Sequence, residues 1–148
     1  MEKFQVHDMG YTITMIVGLP GSGKTTLAKR LVKESLFDTF LADDFSKNAE
    51  DCLSMFDASK YENIVITDPM LCGVEQKVAE STILEMFNLP KEDVNFSWIY
   101  FENDVENCLV NSEREPKPGG VRNFIHSFSK KYTIPNDAKV LPVYKVLH

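Results

Sequence analysis

A three-layer α/β/α fold around a five-stranded, mainly parallel sheet is what this chain of 148 residues predicts. Two observations carry that expectation. Apolar, β-branched runs alternate with amphipathic segments along the chain, a pattern that requires right-handed crossovers and parallel strands. The first apolar run, Tyr11 to Val17, leads into Gly18-Leu19-Pro20-Gly21-Ser22-Gly23-Lys24-Thr25 and then into a helix-forming stretch. That octapeptide fits G-x-x-x-x-G-K-[ST], and a strand before it and a helix after it are the setting that gives the pattern its chemistry.

In order, Met1 to Asp8 is either a short strand or an edge cover. Tyr11–Val17 (YTITMIV) is apolar enough for a strand buried on both faces. Thr25 to Leu36 reads as a helix with Leu27, Ala28, Leu31 and Val32 inward. The second strand, Thr39 to Ala42, ends in Asp43-Asp44, and a helix from Lys47 to Phe56 follows. The third strand, Asn63 to Thr67, stops at Asp68-Pro69, because the residue before proline is biased away from helix. Gly73 to Phe87 is amphipathic, and Asn88-Leu89-Pro90 breaks it. Val94 to Phe101 (VNFSWIYF) is an aromatic fourth strand whose Trp98 and Tyr100 suit a core. A helix from Val105 to Ser112 precedes the polar, Pro- and Gly-bearing stretch EREPKPGG, which predicts a mobile lid around 113–122. A helix from Val121 to Lys131 and a strand from Lys139 to Val146 complete one domain spanning 1–148.

Composition narrows the function class. The net charge of −6 conceals basic ends and an acidic middle, so no global footprint for duplex DNA is expected. No apolar run approaches a membrane span, and the N-terminal stretch is too polar for a signal peptide. Cys52, Cys72 and Cys108 form neither a C-x-x-C pair nor an even set, which points to reduced thiols and a cytoplasmic protein. The three histidines show no metal-ligand spacing. No D-x-x-G follows the third strand and no N-K-x-D appears, so a GTPase is disfavoured.

In parallel sheets the ligand site lies at the carboxyl ends of the strands. That rule gathers the loop after strand one, Asp43-Asp44 after strand two and Asp68 after strand three. Glycines at 18, 21 and 23 permit close backbone approach, and the loop amides with the helix N-terminus would cradle phosphate. Lys24 would reach the β- and γ-phosphates of ATP, Thr25 would hold Mg²⁺, and Asp68 would join the metal through water. One of Asp43 and Asp44, adjacent and therefore pointing apart on a strand, would face the transferred group as general base. Arg114 and Arg122, flanking the polar loop, suit charge neutralisation on a closing lid.

These residues resemble the P-loop kinases, and most of all the polynucleotide 5′-hydroxyl kinase family. Gly18 to Thr26 resembles that family's G-x-P-G-S-G-K-[ST]-T loop, and Leu41-Ala42-Asp43-Asp44-Phe45 its D-D-aromatic segment. Ile64 to Asp68 resembles its third strand with a terminal aspartate, and Asn111-Ser112-Glu113-Arg114 the approach to its lid. The resemblance implies a P-loop NTPase fold, Asp43 as base, and Lys24 and Arg114 on the donor phosphates. It further implies Gly18, Pro20, Gly21, Ser22, Gly23, Thr25, Thr26 and Arg122 around the nucleotide. One departure is Ser46-Lys47, where the family has an arginine that holds the acceptor phosphate. The expected activity is therefore transfer of the γ-phosphoryl of ATP to a hydroxyl of a polynucleotide end or nucleotide-like acceptor. A nucleoside monophosphate or other small-molecule kinase and a nucleotide-gated regulatory ATPase are the competing readings. Oligomeric state is not legible.

Overall fold

The computed structural model describes residues 10–36, 38–113 and 118–146. Five strands form one sheet: β1 (Tyr11–Val17), β2 (Thr39–Ala42), β3 (Asn63–Thr67), β4 (Val94–Phe101) and β5 (Lys139–Leu141). Their order across the sheet is β2-β3-β1-β4-β5, and every pairing is parallel. The chain returns from β2 to β3 and then passes over β1 to β4. The phosphate-loop strand therefore lies at the centre, where strand connections diverge and parallel sheets open a crevice.

Among the described residues five α-helices cover the sheet: α1 (Lys24–Glu34), α2 (Phe45–Met55), α3 (Gln76–Phe87), α4 (Val105–Ser112) and α5 (Pro118–Lys131). Side chains alternate across a strand, so β1 feeds two cores. Ile13 and Met15 join Phe40, Ile64 and Ile66 with Phe45 of α2 and Ala79, Ile83 and Phe87 of α3. Ile16 joins Val65, Ile99 and Phe101 with Leu27 and Ala28 of α1, Cys108 of α4, and Ile125 and Phe128 of α5. With helices against both faces, the α/β/α layering around a five-stranded sheet expected from the sequence is the one observed, and the sheet is parallel throughout.

Several boundaries differ from expectation, each for a local reason. Helix α2 starts at Phe45 rather than Lys47, because Asp44 takes a left-handed φ of 51° and turns the chain at once. Helix α3 starts at Gln76 rather than Gly73. Residues Pro69–Leu71 form a 3₁₀ turn, and Gly73 has φ +84° with the Lys131 carbonyl so close that a Cβ would sit 2.5 Å from it. Helix α5 begins at Pro118, so the second half of the expected lid is helical; proline fits a first turn, whose N–H groups lack intrahelical acceptors anyway. β5 ends at Leu141 rather than Val146, because Pro142 has no N–H to continue a ladder. Met1 to Asp8, Arg114 and Lys117 lie outside the described residues.

Candidate nucleotide-binding site

The loop at residues 18–25 leaves the carboxyl end of β1 and closes a tight turn through Ser22 N–H to Leu19 O at 3.1 Å. Gly21 has φ +85° and Gly23 φ +109°, values that side-chain-bearing residues rarely adopt. The loop is pressed against neighbours as well. A Cβ on Gly18 would lie 3.1 Å from Phe101 Cβ at the end of β4, and one on Gly21 would lie 2.6 Å from the Cys108 carbonyl of α4. The first bond inside α1 is Leu27 N–H to Gly23 O. The amides of Lys24, Thr25 and Thr26 thus precede any intrahelical acceptor and face outward with the positive end of the helix. This is the geometry of an anion cradle.

Lys24 is only 8% exposed, and its ammonium donates to Leu19 O at 2.9 Å. Burial lowers its proton affinity, while Cys72, Cys108, Asp44 and Asp68 act in the opposite sense. Ser22 is 4% exposed, and its Oγ has no hydrogen-bond partner. Pro20 is half-buried beside it; Thr25 and Thr26 are exposed at the mouth.

The carboxylates separate by role. Asp43 lies beside the loop: Thr25 Oγ1 donates to its Oδ1 at 2.9 Å and its Oδ2 at 3.2 Å, and Thr67 Oγ1 donates to Oδ1 at 2.7 Å. Thr67 in turn accepts the Asp44 N–H at 2.8 Å, which secures the left-handed turn at Asp44. Asp43 and Asp44 diverge because of that turn, since β2 has already ended at Ala42. Burial, followed by Asp68, raises the pKa of the Asp44 carboxyl above its ordinary value. Asp68 is 4% exposed and anchors two segments: its Oδ1 accepts from Met70 N–H, and its Oδ2 accepts from the Ser46 N–H and hydroxyl. It thus caps the 3₁₀ turn and tethers the start of α2. Arg122 forms an exposed pair with Glu113 at 3.5 Å. Arg114 lies outside the described residues.

Three participants were not singled out by sequence reasoning. Thr67 is the only polar residue in NIVIT after its first position, and its place beside β2 puts it next to Asp43. Ser46, whose N–H donates to Asp68 Oδ2 at 3.0 Å, carries no local pattern that marks it. Asn111 lies 90 residues from the loop in sequence, yet its Nδ2 donates to Gly21 O at 3.0 Å.

The donor chemistry fits Mg²⁺. Thr25 and Asp43 offer hard oxygens at the mouth of an anion cradle. That set suits an ion that takes most of its ligands from phosphate and water. A cavity of about 440 Å³ lies between Gly73–Lys77, Tyr100, Thr133 and Pro135. Gln76 donates to the Tyr100 hydroxyl on its wall at 2.8 Å. No helix among the described residues is long and apolar enough to cross a membrane.

No protein-family model matches the chain. An uncharacterised protein, R277, of Acanthamoeba polyphaga mimivirus is 26% identical over 136 residues, 88% of this chain and 93% of that one. Among solved structures, that of APE1195 aligns over 92% of this chain and 86% of its own, with a TM-score of 0.56 and 16% identity. A gluconokinase from Sinorhizobium meliloti 1021 aligns over 91% and 83%, with a TM-score of 0.49 and 10% identity. The likeness to APE1195 is one of fold.

Proposed function

We propose that this chain is an ATP- and Mg²⁺-dependent kinase that moves the γ-phosphoryl group to a hydroxyl of a polynucleotide 5′ end or nucleotide-like acceptor. The observation that carries the reading is the cluster of Asp43, Thr25 and Thr67 beside the amide cradle. The loop amides and Lys24 would neutralise the β- and γ-phosphate oxygens, with Lys24 exchanging the Leu19 carbonyl for phosphate. Thr25 would hold Mg²⁺, which supplies charge neutralisation on the transferred group; Asp43 and, through water, Asp68 are the carboxylates at hand. Thr67 fixes Oδ1 of Asp43, while Oδ2 has only the longer contact to Thr25, so Oδ2 is the oxygen free to take the acceptor proton. The acceptor oxygen bonds to the γ-phosphorus, the bridging bond to the β-phosphate breaks, ADP leaves, and the proton passes to Asp43. Arg114 retains its proposed role on the donor phosphates.

The cavity beside Tyr100 favours a second reading, a small-molecule kinase whose acceptor occupies that space. Incubation of γ-labelled ATP with oligonucleotides, nucleosides, nucleoside monophosphates and sugars separates the two. Asp43→Asn should lower transfer by about 10²–10⁴-fold with ATP affinity retained. Equal loss of binding and transfer would remove Asp43 from the base role. Release of ADP that no acceptor accelerates would favour a regulatory ATPase.

A further inference from the structure

We propose that Asn111 is a positioning residue for triphosphate binding, holding the phosphate loop in register by tying it to α4 and to residues 143–146. The inference rests on the phosphate-binding part of the reading above and is independent of the acceptor. The Asn111 amide is used on both sides. Its Nδ2 donates to Gly21 O at 3.0 Å and to Tyr144 O at 2.9 Å, and its Oδ1 accepts Val146 N–H at 2.7 Å. Two carbonyls on one side and an N–H on the other fix the orientation of the carboxamide, since its nitrogen can only donate and its oxygen only accept.

The three segments tied together are far apart in the chain: 90 residues separate Gly21 from Asn111, and 35 separate Asn111 from Val146. One turn earlier on the same helix, Asn107 donates to Val143 O at 3.2 Å, so residues 143–146 run along α4 held by two amides. Val143 is itself 4% exposed and belongs to the core. The tail is thus a fixed body against which Asn111 is oriented, and Asn111 orients the loop. The Gly21 carbonyl matters because it belongs to the peptide whose N–H is that of Ser22. Holding that carbonyl toward α4 sets the direction of the peptide plane at the turn of the cradle.

Asn111→Ala removes both donors without placing a charge beside the anion cradle, leaving the Gly21 carbonyl without this partner. Titration with ATP, and competition against ATP by inorganic tripolyphosphate, should both show affinity reduced by about tenfold. Asn107→Leu removes one tie between the tail and α4 while leaving all three Asn111 bonds in place, and should leave both affinities within about twofold. If Asn111→Ala does not fold, Asn111→Leu, close in size and uncharged, is read in the same titrations with the same expectation. Unchanged affinities, an equal loss in Asn107→Leu, or a loss for ATP that tripolyphosphate does not share would overturn the proposal. Wild-type protein that binds ATP but phosphorylates no acceptor would sink the kinase reading alone; wild-type protein that does not bind ATP would sink both.

Discussion

Replacing Gly21 by alanine tests whether α4 supports the phosphate loop as closely as the structure has it. The added methyl would begin 2.5 Å from Ser112 Oγ and 2.6 Å from the Cys108 carbonyl oxygen. The serine can rotate away; the carbonyl belongs to the backbone of α4 and moves only with the helix. Overpacking of this kind costs about 1–3 kcal/mol. The left-handed φ of +85° adds about 1–2 kcal/mol for a residue with a Cβ. Together these give roughly 2–5 kcal/mol, or a Tm lowered by roughly 5–15 °C in a domain of this size. Gly23→Ala is the internal control. Its φ is +109°, but its nearest neighbours are Phe101 ring carbons at 3.7 Å, an ordinary contact, so it carries the backbone cost alone. Scanning calorimetry on the two variants, with ATP titration in parallel, should place Gly21→Ala below Gly23→Ala by about 1–3 kcal/mol. Adding Ser112→Ala to Gly21→Ala should recover only part of the difference. Equal losses in the two glycine variants, or full recovery by Ser112→Ala, would refute the reasoning.

Asp44→Asn should stabilise the protein at neutral pH. The Asp44 carboxyl holds its proton more tightly in the folded state, through burial first and Asp68 second. Its contribution is therefore fully present below the ordinary value of 3.8 and is lost as pH rises through the folded pKa. Asparagine removes that charge and also tolerates the φ of 51°. Thermal melts should show a gain in Tm at pH 7 that shrinks toward pH 4; a constant gap would show that the charge is immaterial. The cysteines should differ sharply in reactivity. Burial pushes the Cys72 thiol to about 11 and Cys108 to about 12, and both are sealed in the core, whereas Cys52 is half-buried. A disulfide reagent at pH 8 should label Cys52 in native protein and all three only in denaturant. Equal native rates would contradict the burial described.

What could be read from the sequence follows from how local each cause is. The strand limits at Tyr11–Val17, Thr39–Ala42, Asn63–Thr67 and Val94–Phe101 were all legible, because a doubly covered parallel strand announces itself as an apolar run. The convergence of the loop with Asp43 followed from topology alone, since β2 and β1 both flank β3. The particular bonds did not. Thr67 is simply the last residue of an apolar strand until β2 is laid beside it, and then it becomes the donor to Asp43 and the acceptor for Asp44. Asp68 is legible in one dimension as the end of an apolar strand, but that Ser46 and Met70 fold onto it is visible only in three. The stretch after Leu141 has a strand-like composition, but Pro142 diverts it to the amides of Asn107 and Asn111, partners that no local pattern encodes.

The brevity of β5 has a bearing on how copies of this chain meet. A foreign strand seeking to extend the sheet on that side would find three residues of ladder, Lys139 to Leu141, ending at an imide nitrogen. The opposite border, β2, offers only four. Among the described residues neither rim provides a template long enough to nucleate cross-chain pairing, and the shortness of these outermost strands works against fibril-like growth at both margins.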